Sequence, residues 1–339
     1  MRGVFYKMDK NVNEELMKKY QKKFSNWGKW GPDDEIGTLN YVTPEAIVDI
    51  AKKVNKGKVF SLAWNWDENG PQTGAWGRTN LRRHMMLTGT DAAAGRQENG
   101  PEGIEYWADD MFIVPTHGVT HWDAHAHMFS KIEEDNGKKR IVMYNGYPCE
   151  LVDSKGAHKC GIQNIKDKMV GRGVLLDIAR YKEVEALKKG EGITSDDLEG
   201  CATKYGIEVK QGDFVLVRTG QFGKIYKNVL EGGSWEDYAG GDAPGLEFET
   251  IEWIYEKKIA TIASDTWGVE VRPNRTDIYS QPWHQIVIPI MGLIHGEMFY
   301  LEELAKDCAE DKQYEFLLVS GTLPLTGGVG SPINPIAIK

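Results

Sequence analysis

Apolar positions along this chain repeat with two periods, one helical and one extended. Residues 43–54 open on Thr43, Pro44 and Glu45. These are a hydroxyl able to cap a helix, a proline suited to the first turn, and an acid at the positive end of the helix dipole. Ile47, Ile50, Ala51 and Val54 then recur at helical spacing, which predicts a helix with one apolar face. The same reasoning predicts helices over 13–24, over 194–206 behind Thr194-Ser195-Asp196-Asp197, around Phe248, Ile251, Ile254 and Tyr255, and over 301–309. Short apolar runs predict strands at 58–64, 173–178, 213–218, 259–263 and 315–320. Helix and strand alternate in the second half, the mark of an α/β class. The stretch 67–103, rich in Gly, Asn and Arg, predicts long loops over a site. No linker or internal repeat divides the chain. It therefore predicts one domain over 1–339, with 1–57 as an N-terminal helical extension.

Composition narrows the classes of function. The chain has 339 residues and a net charge of -9, with acidic and basic residues interspersed. No basic patch points to nucleic acid. No stretch approaches the roughly 18 apolar residues of a membrane span, so no membrane partner is expected. The first thirteen residues are polar and lack the apolar core of a signal peptide. The four cysteines, Cys149, Cys160, Cys201 and Cys308, form no CxxC pair and read as reduced thiols. A cytoplasmic protein is the expectation.

Four of the eight histidines fall within eleven residues, in the run His117-Gly118-Val119-Thr120-His121-Trp122-Asp123-Ala124-His125-Ala126-His127. Imidazole is a common ligand of divalent metals. His117, His121 and Asp123 can bind one face of an ion and leave its other positions open, as a catalytic site requires. A bound divalent ion brings its water toward pKa ~7 and polarises a carbonyl. His127 either ligates or stands beside the metal as acid or base. On a strand, 121, 123, 125 and 127 share a face, so His125 either joins the site or, in a loop, points away. Further ligands come from elsewhere. Spacing alone leaves His84, His158, His284, His295 and Asp265 open, and Asp265 follows a buried strand.

At these residues the chain resembles the metal-dependent cyclase-like hydrolase family, which includes bacterial kynurenine formamidase, isatin hydrolase and trans-dienelactone hydrolase. The family signature H-x-G-T-H-x-D-x-P-x-H is matched at His117, Thr120, His121, Asp123 and His127. Val119 replaces its glycine and His125 its proline. The segments Trp30-Gly31-Pro32-Asp33-Asp34-Glu35-Ile36-Gly37-Thr38-Leu39-Asn40, Asn69-Gly70-Pro71-Gln72, Gly173-Val174-Leu175-Leu176-Asp177 and Val217-Arg218-Thr219-Gly220 resemble it too, as do Ala263-Ser264-Asp265-Thr266 and Gly296-Glu297 followed by Leu301. The resemblance implies an α/β domain with a mostly β, barrel-like core flanked by helices, of the swivelling β/β/α type. It implies His117, His121 and Asp123 as first-metal ligands, and His127 as acid or base. His284 and Glu297 would hold a second metal, with the aspartate bridging. It also implies a homodimer or homotetramer.

The expected function is hydrolysis of a C–N or C–O acyl bond in a small cyclic amide, formamide or lactone by metal-activated water. His127 and Glu297 are the expected catalytic groups. The ions are Mn or Zn, with Fe possible, one or two per site. Trp122, His125 and Trp267 are the candidate contacts to the small-molecule substrate, since aromatic walls suit a flat ring. Arg78, Arg82 and Arg83 are candidates for a substrate carboxylate, with a solvated basic face as the alternative. A second reading is a non-haem iron oxygenase built on His121, Asp123 and His284. A third is a non-catalytic metal-binding protein.

Overall fold

The computed structural model describes residues 11–134 and 136–339. The first ten residues of the expected N-terminal extension lie outside this set. The strands that frame the site begin with β1 (Val59–Ser61), β2 (Arg82–Leu87), β3 (Asp109–Ile113), β4 (His121–Asp123), β5 (Val170–Asp177), β6 (Phe214–Arg218) and β7 (Thr261–Ser264). Four follow: β8 (His295–Glu297), β9 (Glu315–Val319), β10 (Gly330–Pro332) and β11 (Ile336–Ile338). Nine of them form one curled sheet in the order β1-β11-β9-β5-β6-β7-β8-β4-β10. Strands β5 to β8 are parallel, and the flanking pairs are antiparallel. This is a single mixed α/β domain around a half-barrel sheet, as expected.

Burial explains why the centre of the sheet was readable. Every residue of β6 and of β7 is buried, so both read as continuous apolar runs, as parallel strands covered on both faces do. Between them and β9 lies β5, whose Gly173 pairs with Phe214 on one side and Phe316 on the other. A Cβ at Gly173 would stand 2.2 Å from the Phe316 ring, and one at Gly171 2.5 Å from the Phe214 ring. The two missing side chains make room for two aromatic rings in the core.

The helices α1 (Glu14–Lys23), α2 (Pro44–Ala51), α3 (Ser195–Lys204), α4 (Gln221–Leu230), α5 (Thr250–Lys257) and α6 (Glu302–Asp311) flank the sheet. Their starts carry the expected caps. Asn13 caps α1, Thr43 caps α2, and Thr194 with Asp197 closes a reciprocal capping box on α3. No helix among the described residues is long and apolar enough to cross a membrane.

One expectation is corrected. The stretch 67–103 is not loop throughout, because β2 lies within it and pairs antiparallel with β3 as a separate two-stranded ribbon. Its sequence, Arg-Arg-His-Met-Met-Leu, lacks the apolar–polar alternation of a half-buried strand because neither face is covered. Helix α4 was not expected either; Gly220 ends β6 with φ 79° and immediately starts it.

Replacing Gly173 by alanine forces the Phe316 ring from its place. We expect Gly173→Ala to cost about 1–3 kcal/mol in urea unfolding. Gly89→Ala, where a Cβ meets nothing within 4 Å, should be near neutral. Equal midpoints for the two variants would contradict this packing.

Candidate metal centre

Three short strands build the site. On β4, His121 and Asp123 share one face and Trp122 takes the other, by the two-residue period of a strand. Strand β8 runs antiparallel beside it with Glu297 opposite His121, so His295 and Glu297 share that face as well. On the other side β10 places Gly330 opposite Asp123. A Cβ there would stand 2.4 Å from His117 Nε2, so glycine leaves the space in which that imidazole reaches the carboxylate. His284 enters from a short helical turn whose continuation, Val287–Met291, is wound as a buried π-helix.

The donor atoms converge. His117 Nε2 and His121 Nε2 each lie 3.3 Å from Asp123 Oδ1. His121 Nε2 is also 3.3 Å from Glu297 Oε2. His295 Nε2 is 3.2 Å from Asp123 Oδ2 and 3.3 Å from Glu297 Oε1, and His284 Nε2 is 3.3 Å from Glu297 Oε1. His127 stacks on His117 with ring centroids 4.0 Å apart and holds Nε2 3.8 Å from Asp123 Oδ2. Two groups result: Asp123 with His284, His295 and Glu297, and Asp123 with His117 and His127. Asp123 belongs to both.

These atoms fit a divalent ion better than they fit one another. His117 Nε2, His121 Nε2 and Asp123 Oδ1 are buried without a hydrogen-bond partner. Leaving such atoms unpaired is costly unless something else is bound there. The opposite ring nitrogens show which lone pair is free. The His121 Nδ1–H donates to the Val119 carbonyl at 2.7 Å, which leaves Nε2 bare. The His284 Nδ1–H donates to Glu270 at 2.5 Å and likewise turns Nε2 inward. Carboxylates and carbonyls behind ligating histidines orient them in this manner.

Electrostatics follow from the same contacts. Burial would lower the His121 imidazole, but Asp123 and Glu297 outweigh it and raise it to about 9. Burial would lower His284 too, and Glu270 and Glu297 raise it to about 9. Burial, reinforced by His127, holds His117 well below its ordinary value. Burial alone would raise Asp123 and Glu297, yet the surrounding imidazoles hold both carboxyls well below the carboxylate range. The two buried anions are thus offset chiefly by His121 and His284, the two imidazoles whose protonated form they favour.

Two expected substrate contacts are corrected. Trp122 is buried on the core face of β4, edge-on to Phe299, and its indole N–H donates to Ser320 Oγ at 2.7 Å. His125 lies beyond the end of β4, so the strand-face rule does not reach it. Its Nε2–H donates to the Gly292 carbonyl at 2.9 Å, and its ring leans on Tyr144. The Thr38 N–H donates to that carbonyl too, which ties the N-terminal segment to the end of the π-helix. Asp265 is also structural. Its carboxylate accepts from the Thr219 N–H and hydroxyl and the Gly220 N–H, and burial pushes it up to about 6 against those bonds.

Trp267 does face the site. A cleft of 470 Å³ opens over the metal ligands, with Trp76, Arg78, His117, His127, Trp267 and Glu297 in its wall. Trp76 is 65% exposed, has φ 53° in the left-handed region, and lies 5.2 Å from the Trp267 ring. Such backbone strain costs about 1–3 kcal/mol and clusters at functional sites. Arg82 and Arg83 lie on the exposed strand β2, outside this wall. His84 lies there as well, and His158 pairs with Asp153 at the surface.

Sequence reasoning left His295 unassigned and did not name Glu270. The signal for His295 is its spacing of two from Glu297, which puts both on one strand face. Glu270 lies in irregular chain fourteen residues before His284, and no pattern announces it.

Comparison with known proteins fits this architecture. The family model described as "Putative cyclase" matches residues 48–271. A solved structure described as a novel cyclase is 38% identical, covers 94% of this chain and 100% of its own, and superposes with a TM-score of 0.82. The chain belongs to the cyclase family. Isatin hydrolase A from Labrenzia aggregata is 17% identical, with 87% and 97% of the two chains covered and a TM-score of 0.58. The isatin hydrolase A of Ralstonia solanacearum is 18% identical over the same shares, with a TM-score of 0.59. These two share the fold. No curated protein matches the chain.

If Glu270 sets the His284 ring, Glu270→Gln should weaken metal binding about 10–100-fold without unfolding the chain. Competition with a chromogenic chelator, alongside circular dichroism, measures this. Unchanged affinity would show that Glu270 does not act through His284.

Proposed function

We propose that this chain is a metal-dependent hydrolase that cleaves the C–N or C–O acyl bond of a small cyclic amide, formamide or lactone. The observation that carries this reading is Asp123, whose two oxygens face two adjoining groups of nitrogen and carboxylate donors beneath an open cleft. His117, His121 and Asp123 would hold one ion, with His127 beside it, and Asp123, His284, His295 and Glu297 a second. Imidazole and carboxylate suit Mn, Zn or Fe. When bound, such an ion supplies an activated water and polarises the scissile carbonyl.

The chain's own residues do the rest. His127 is the half-buried member of the cluster and lines the cleft, so its imidazole can pass a proton to the leaving nitrogen or oxygen. Trp76 and Trp267 offer a flat aromatic wall for a ring, and Arg78 brings a cation to the same cleft. The isatin hydrolases, which share the fold, act in name on a flat cyclic substrate, in keeping with this wall. A two-histidine, one-carboxylate oxygenase triad would leave His117, His295 and Glu297 without a role. A closed structural site would not open on a cleft.

The test is acid release in a pH-stat from N-formylkynurenine, isatin, dienelactone and cyclic imides, with Mn or Zn added and with chelator. Metal-dependent release from at least one substrate is expected. Silence across the panel from a folded, metal-loaded chain would overturn the proposed chemistry. On the active substrate, His127→Ala should lower kcat about 10²–10⁴-fold. A kcat within threefold of wild type would remove His127 from the proton path.

A further inference from the structure

A second cavity, of 390 Å³, adjoins the metal cleft, and Trp76 and Trp267 stand in the walls of both. Its size suits a small ligand, since such pockets run from about 300 to 1,000 Å³. Each side of the indole pair carries one guanidinium. Arg78 lies over the Trp76 ring at 5.8 Å and lines the metal cleft. Arg272 lies over the Trp267 ring at 4.9 Å and lines the outer cavity. Trp267 is held in place, because its indole N–H donates to the Gly241 carbonyl at 3.0 Å. The proposed hydrolysis uses neither Arg272 nor the outer cavity.

Arg272 is only half satisfied. Its Nη1 donates to Asn274 Oδ1 at 2.8 Å and to the Ser280 carbonyl. Nε and Nη2 are buried and donate to nothing among the described residues. These two nitrogens form one edge of the planar guanidinium, and parallel N–H bonds from that edge match the two oxygens of a carboxylate. The chain uses the edge in this way elsewhere. Arg218 gives Nε and Nη2 to the two oxygens of Glu302 at 2.9 and 2.7 Å, and Arg275 gives the same pair to Glu247. Asp242 and Asp277 also line the cavity, but both are exposed and neither accepts from this edge of Arg272. Burying charged donors unpaired is costly, so the edge calls for an acceptor from outside the chain.

We propose that the outer cavity is a carboxylate site. A ring acid lies against Trp76 and Trp267, and its carboxylate accepts from Nε and Nη2 of Arg272. Both nitrogens are closed to solvent, so the acid enters as the wall shifts. Trp76 is the part of the wall suited to shifting. It is 65% exposed, its φ of 53° is strained, and it lies between Gly74 and Gly77, where a Cβ would meet nothing within 4 Å. Strained and sparsely packed segments are the ones that move at ligand sites. Resting on the hydrolytic reading of the cleft, the site then selects acyl substrates that carry a carboxylate apart from the reacting bond.

Isothermal titration calorimetry with benzoate tests the site on the full chain, as purified and again with chelator, with benzamide as the uncharged control. Benzoate should bind in both states, and benzamide at least about tenfold more weakly. Arg272→Gln should weaken benzoate at least about tenfold, while Arg78→Gln stays within about threefold of wild type. Arg272→Lys keeps the charge and loses the fork, so it should weaken binding too, and it decides the matter if the glutamine variant fails to fold. The proposal is overturned by no benzoate binding at millimolar concentration, by binding that chelator abolishes, or by equal affinity for benzamide. It is also overturned if the Arg272 variants bind as wild type does, or if Arg78→Gln loses as much, which places the anion in the metal cleft. The titration needs no turnover. An inactive chain that binds benzoate through Arg272 would therefore remove the hydrolytic reading and leave the site standing.

Discussion

Compensation of two buried carboxylates dominates this structure. Asp123 and Glu297 are removed from water at the floor of a cleft, and a lone buried carboxylate is very costly. Here five imidazoles, from His117, His121, His127, His284 and His295, crowd around the pair. The sheet exists in the form that permits this. Strands β4 and β8 must lie side by side so that alternate residues of each point the same way. Strand β10 must present a glycine where His117 passes. The carbonyl of Val119 and the carboxylate of Glu270 must turn two imidazoles by their far nitrogens. Donor atoms left unpaired in such a place are a site for something with positive charge.

Much of the frame was legible because its strands and helices obey simple rules. Strands β6 and β7 are buried on both faces and read as apolar runs, and Thr43-Pro44-Glu45 and Thr194 to Asp197 announce their helices. The metal cluster was legible for a different reason: four histidines and an aspartate in eleven residues are too dense for chance. The rest was hidden by contact order and by short strands. His295 and Glu297 meet His121 only because a three-residue strand pairs with another three-residue strand far away in sequence. His125 was misplaced by the length of β4, and Trp122 by its nearness to the ligands, although strand alternation turns it to the other face. A strand ending at Asp123 sends Trp122 into the core and leaves His125 to hold the Gly292 carbonyl.

The stretch that looked least structured turned out to be an ordered ribbon. Its residues gave no periodic signal because nothing among the described residues covers either face. That absence of pattern and the exposed apolar surface are two views of the same fact. The ribbon's root, the strained Trp76 and Arg78, whose guanidinium lies over the Trp76 ring, all border the cleft.

We propose that Asp123 is shared between two metal ions. It is tested most directly by elemental analysis of metal per chain after gel filtration, comparing wild type with Asp123→Ala and with Trp122→Phe as a control for packing on the same strand. Bound Mn, Zn or Fe is expected in wild type and in Trp122→Phe, and less than about a tenth of it in a folded Asp123→Ala. Full metal content in Asp123→Ala, with the fold intact, would contradict it.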